Sequence, residues 1–125
     1  MSVLVVVALS VAGGLGAVVR LVFDGFLRSR MKVAYPLGTT VINVTGSLLL
    51  GLVTGLALTH ALPTEWRLIC GTGFLGGYTT FSTASYETVR LAQAGRIAAA
   101  FANGIGMFVV ALLAAGAGLW LGSLA

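Results

Sequence analysis

The chain has 125 residues, of which 58% are hydrophobic and only 8% charged, and its formal net charge is +4. A soluble domain carries about a quarter charged residues, so these proportions, with a mean hydropathy of +1.07, exclude a soluble globular fold and define an integral membrane protein. The seven basic residues sit in short loops and at helix ends without forming an extended basic surface, which excludes a nucleic-acid-binding protein.

Four apolar runs reach the roughly 20 residues that a helical crossing needs: Val3 to Phe23, Leu37 to Leu58, about Leu68 to Val89, and Ile97 to Leu121. The chain therefore reads as one all-α transmembrane domain of four helices over residues 1–125. The first run is expected to stay as a span, because Met1 and Ser2 supply no basic leader segment and no small-residue cleavage site precedes a soluble body. Within it, Gly13-x3-Ala17 allows close helix approach in lipid. Arg20, near its end, must snorkel, pair or face water, since a guanidinium at mid-bilayer costs at least about 2.5 kcal/mol. It either reaches the interface or gives an aqueous vestibule a positive potential.

Asp24 to Tyr35 reads as a short polar loop, and Pro36 opens the second span at a position that needs no backbone N–H. Thr39, Asn43, Ser47 and Thr54 then recur on one helical face as a polar stripe. Asn43 lies deep in the apolar run, where its amide must either bond across helices or face a hydrated path. Gly51-x3-Gly55 reads as a second packing face. His60 to Arg67 forms a tight turn, and lone His60 has no partner at ligand spacing. Trp66 and Trp120 fall at the same interface in a four-span topology.

The third run contains the stretch around which the chain is organised, G-T-G-F-L-G-G-Y-T-T-F-S-T from Gly71 to Thr83. Glycines cost about 1 kcal/mol each against alanine inside a helix, so the spacing predicts a break near Gly76-Gly77. Irregular backbone at membrane depth is tolerated only where protein buries it or where it lines a watery cavity, and such breaks in transporters present backbone groups to ions. Cys70 reads as a small buried side chain. Glu87 and Arg90, three apart, read as a solvated pair along the helix. The fourth span is rich in Ala and Gly, with Asn103 as its only strongly polar side chain.

Enzymes are excluded by inventory. One His, one Cys and three acids at helix ends cannot assemble a triad, a Cys-His pair or paired carboxylates. Gly71-x-Gly73-x-x-Gly76 follows no strand and precedes no acidic residue at the required distance, so it is not a dinucleotide fingerprint. Proton-coupled transport needs buried acids or His within the spans. Small four-helix multidrug exporters need a carboxylate inside the first span, which is absent here. A passive conduit fits better than an exporter.

The segments G-G-L-G-A-V-V-R (13–20), P-L-G-T-T-V-I-N-V-T-G (36–46) and the Gly71 to Thr83 stretch resemble, in order and spacing, the Fluc family of small fluoride channels, over essentially the whole chain. The resemblance implies a multi-pass protein of the cell inner (plasma) membrane, an antiparallel (inverted) dimer of four-helix subunits with two narrow fluoride pores, and a structural Na+ ion at the dimer centre. By position, the carbonyls of Gly76 and Thr79 would hold that ion. Asn43, Phe81, Ser82 and Thr83 would line the anion path, with Thr39 on the same stripe and Arg20 in the vestibule. The chemistry agrees: amide and hydroxyl groups donate hydrogen bonds, phenylalanine rims carry partial positive charge, and a fixed cation adds positive charge near the anion routes. Export needs no energy source where the membrane is inside-negative and acid outside lets hydrogen fluoride enter and dissociate within.

Three departures from the family pattern stand out. Its second pore phenylalanine, three residues after the first, is Ala84 here; Phe101 stands where tyrosine is usual; Ile105 and Val109 replace hydroxyl-bearing residues. The charges are also lopsided: Arg20, Arg28, Arg30, Lys32, Arg90 and Arg96 fall on one side of the membrane and only Arg67 on the other. That is six against one, and the positive-inside rule then fixes a single orientation with both termini outside. The expectation is therefore a dimer with an inverted homologous chain, a heterodimer more readily than a homodimer. A non-conducting structural subunit and a small-molecule exporter are the rival readings.

Overall fold

The computed structural model describes residues 1–32 and 35–125. All regular structure among them is helical. Helix α1 spans Val3–Arg30 and α2 spans Leu37–Leu58. Helix α3 covers residues 64–78, helix α4 is Ser82–Gln93, and α5 is Ile97–Ser123. Three of these, α1, α2 and α5, are long and apolar enough to cross a membrane unaided. Helices α3 and α4 follow one another with an interruption at residues 79–81, so the all-α, four-helix reading with a broken third helix holds.

The break lies two to three residues later than the glycines suggested. The helix passes through Gly76 and Gly77 to Tyr78, and the chain turns extended only at Thr79 (φ −79°, ψ 159°). The glycines serve close approach instead. A Cβ at Gly77 would fall on the Gly13 carbonyl oxygen, and one at Gly16 on the Phe74 carbonyl oxygen, so α1 and α3 meet backbone to backbone. Residues 68–75 of α3 are π-helical, and the Gly76 N–H reaches back five residues to the Gly71 carbonyl. Lipid offers no competing hydrogen bonds, so a glycine that loosens a helix in water can serve packing here.

The expected Gly51-x3-Gly55 face is the contact between α2 and α5. A Cβ at Gly51 would land on the Ala115 carbonyl, and one at Gly118 on the Leu48 carbonyl. This closeness puts the C-terminal ends of α2 and α5 on one side, and Trp66 and Trp120 both stand exposed. Around the break, Ile42, Leu75 and Tyr78 form a small buried core with Phe23 and Phe74 packed against it. The Tyr78 hydroxyl meets Thr45 Oγ1 at 3.1 Å.

The loop expected over Asp24 to Tyr35 is shorter. Helix α1 continues to Arg30, carried by an i,i+4 ion pair from Arg28 Nε to Asp24 Oδ2 at 3.0 Å and by a Met31 N–H bond to the Leu27 carbonyl. Residues 33 and 34 of that expected loop lie outside the described residues. At the other end of the bundle, His60 takes a left-handed conformation (φ 61°), and Pro63 caps α3, so Glu65 and Arg67 are helical rather than part of the turn.

Because the α1–α3 contact is backbone against backbone, it cannot absorb a side chain. Gly16→Val or Gly77→Val should cost about 1–3 kcal/mol or more and remove the monodisperse species on gel filtration in mild detergent. Gly14→Ala, where a Cβ meets nothing within 4 Å, should elute unchanged; equal behaviour of all three variants would contradict this packing.

Candidate functional site

Between α3 and α4 the backbone of Thr79, Thr80 and Phe81 leaves the helix, and its polar groups find partners chosen by the sequence. Asn43, from the middle of α2, faces the Thr80 peptide with both ends of its amide. Its Nδ2 donates to the Thr80 carbonyl at 2.8 Å, and the Thr80 N–H donates to its Oδ1 at 2.8 Å. A side-chain amide thus stands in for a neighbouring peptide. Thr80 Oγ1 accepts from the Thr83 N–H at 3.1 Å, an N-terminal cap that starts α4. On the other side, Thr79 closes α3 with its N–H and its Oγ1 both donating to the Leu75 carbonyl at 2.9 Å.

These diversions free acceptors. An unbroken helix would turn the Thr80 N–H toward the Gly76 carbonyl and the Thr83 N–H toward the Thr79 carbonyl; here both donors go elsewhere. The Gly77 carbonyl instead takes Arg20 Nε at 3.3 Å. Arg20, half-buried, is therefore anchored on the break rather than extended to the interface.

Beside the break lies a groove of about 490 Å³, lined by Asn43, Ser47, Phe81, Ala84, Asn103 and Met107 among others. Phe81 is 86% exposed at its edge. The second N–H of Asn43 points to Met107 Sδ at 3.2 Å, a weak acceptor, so this is the amide proton that a better acceptor in the groove could take. Of the residues singled out from sequence, Asn43, Phe81 and Thr79 line the groove. Ser82 is exposed on the first turn of α4 and Thr83 partly buried. Thr39 is 2% exposed and lies apart, adjoining the Glu87 carboxylate. The sequence reading passed over Thr80, whose signal was a second hydroxyl directly after Thr79, and over Asn103, noted as polar but given no partner. Asn103 is fully buried and donates through Nδ2 to the Ala84 carbonyl and to Thr88 Oγ1.

A second cavity of about 460 Å³ opens at the end of the bundle that carries most of the cations. Here the reading of Glu87 and Arg90 as a solvated pair is corrected. Glu87 is inward-facing and pairs with Arg28 of α1 at 3.5 Å, while Arg90 lies over the Tyr86 ring at 5.9 Å and donates to its hydroxyl at 3.3 Å. One guanidinium, Arg28, thus joins Asp24 and Glu87 across two helices. Burial, with the Glu87 carboxylate nearby, raises the Tyr35 phenol from its ordinary value against the opposing effect of the neighbouring Thr40 hydroxyl, and Tyr35 lines this cavity. No group of three or more His, Cys, Asp or Glu that could hold a metal occurs among the described residues.

Three helices able to cross a membrane, with an interrupted helical segment stitched by side chains beside a largely apolar groove, define a multi-pass helical membrane protein. Comparison with known proteins gives the family. Residues 7–119 match the family described as CrcB-like protein, Camphor Resistance (CrcB), and the chain belongs to it. The Fluoride-specific ion channel FluC 1 of Leifsonia xyli subsp. xyli is 69% identical over 125 residues, covering all of this chain and 91% of the relative. The Fluoride-specific ion channel FluC 2 of Cutibacterium acnes is 54% identical over 114 residues, covering 90% and 92% of the two chains. The Fluoride-specific ion channel FluC of Syntrophotalea carbinolica is 44% identical over 116 residues, covering 92% and 94%. The resemblance drawn from the three motifs is borne out.

Asn43→Leu keeps the volume but leaves the Thr80 N–H and carbonyl without partners. Each stranded group costs about 1–3 kcal/mol, so the unfolding temperature in detergent should fall clearly. An unchanged value would mean that the break does not depend on this amide.

Proposed function

We propose that this chain is a subunit of a passive, fluoride-selective channel that lowers cytoplasmic fluoride across the plasma membrane, working as a dimer with an inverted homologous chain. The observation that carries the reading is the break at Thr79–Phe81 held by Asn43. It sets donors and a ring edge beside one groove, in a chain whose relatives bear the name of fluoride-specific channels. A small, strongly hydrated anion sheds water only where donors replace it. The Asn43 N–H now resting on a thioether, the hydroxyls of Ser82 and Thr83, and the Phe81 rim are the groups assigned to that task. Arg20 at the Gly77 carbonyl adds positive charge close to the break.

A structural sodium ion fits the same segment. Sodium is a hard cation suited to oxygen ligands, and the carbonyls of Gly76 and Thr79 are those whose helical donors are turned to Asn43 and to Thr80 Oγ1. Two oxygens from one chain do not complete a coordination shell, and a second copy of the break would supply the rest. A bound ion would add fixed positive charge near the anion routes.

The charge asymmetry favours a heterodimer. The ends of α1 and α4 and the starts of α2 and α5 share one side of the bundle, which holds Arg28, Arg30, Lys32, Arg90 and Arg96, five of the seven basic residues, against Arg67 at the other end and Arg20 at the break. A chain so biased inserts one way, and an inverted partner must then be a different chain. That partner would also bring a ring to the groove at the level of Ala84.

Two measurements test these statements. Liposomes containing the assembled channel should release fluoride without a coupling ion and retain chloride; coupled efflux would favour the exporter reading. Asn43→Ala or Phe81→Ala in this chain should abolish that release, whereas full efflux would leave the chain only a structural subunit. Accessibility labelling of the chain expressed alone should find one orientation, and equal amounts of both would remove the case for a heterodimer.

A further inference from the structure

Asn103 lies where helix α5 widens into a π-helical turn at Ala102–Gly106, a feature that recurs at functional sites. Its side chain is fully buried. Both amide protons have acceptors on α4, the Ala84 carbonyl at 3.2 Å and Thr88 Oγ1 at 2.9 Å, and Thr88 Oγ1 itself donates to the Ala84 carbonyl at 2.8 Å. Its Oδ1 is buried without a hydrogen-bond partner among the described residues. The orientation is fixed, because exchanging oxygen and nitrogen would set Oδ1 against the Ala84 carbonyl oxygen. A site that uses both donors and leaves the acceptor unpaired is built around the donors.

The place of those donors gives them meaning. Thr80 and Ala84 are one turn apart and both line the groove beside Phe81. Each takes an asparagine amide from a neighbouring span, Thr80 from Asn43 on α2 at 2.8 Å and Ala84 from Asn103 on α5. We propose that Asn103, acting with Thr88, is a positioning residue of the anion path: its two donated hydrogen bonds fix α4 against α5 at Ala84 and Thr88, and so set the wall of the groove next to Phe81. This rests on the fluoride reading above and extends it to a residue outside the break.

The test uses the assembled channel in liposomes and a fluoride electrode. Asn103→Leu fills a similar volume without a donor, and its efflux should fall by about tenfold or more, the scale of one lost hydrogen bond. Thr88→Val should slow efflux as well, and Thr88→Ser, which keeps the hydroxyl, should restore the wild-type rate. Should Asn103→Leu fail to give a monodisperse dimer, the Thr88 pair carries the test alone. Wild-type efflux from either Asn103→Leu or Thr88→Val would overturn the proposal while leaving the channel reading intact. Absence of fluoride efflux from the wild type would overturn both.

Discussion

A helix interrupted inside a bilayer exposes peptide groups where no water can meet them, and everything around residues 79–81 follows from that constraint. Asn43 meets it by offering a donor and an acceptor to one peptide, Thr80. Thr79 and Thr80 meet it locally, each hydroxyl closing one of the two helix ends. The arrangement is selective in what it leaves open. The Thr80 and Thr83 N–H groups go to Asn43 and to Thr80 Oγ1, and the Gly76 and Thr79 carbonyls lose the donors that an unbroken helix would give them.

Holding such a break requires rigid surroundings, and glycine supplies them by absence of bulk. At Gly16 and Gly77 the backbones of α1 and α3 touch directly, and at Gly51 and Gly118 those of α2 and α5 do the same. Contacts of this kind depend on van der Waals packing rather than on a hydrophobic driving force, which lipid does not provide between helices. Between α2 and the third span the same device acts at Gly46, where a Cβ would fall on Thr79 and the Tyr78 ring, one turn from Asn43 and its twin hydrogen bonds.

The sequence made the four crossings, the small-residue faces and the existence of an interruption legible, because each rests on composition within about twenty residues. It misled on the position of the break, since glycine in a helix can mean weakness or close approach, and only the facing Gly13 and Phe74 carbonyls decide between them. It misled on Glu87 for a related reason. Spacing offered Arg90 as the partner, yet the third span turns Glu87 toward Arg28, 59 positions earlier in the chain. Asn103 was visible as an anomaly in an apolar span, but its acceptors on α4 belong to tertiary structure. Thr39 shares a helical stripe with Asn43, yet the groove passes Asn43 and leaves Thr39 beside Glu87.

The interruption also divides the third span between two allegiances. Helix α3 lies against α1 through their glycine contacts, whereas α4 is bonded to α5 through Asn103 and reaches α1 through Glu87 and Arg28. Asn43 on α2, bonded twice to Thr80 between the two halves, therefore holds a joint whose sides answer to different neighbours, and a change at either neighbour reaches the other through that one peptide.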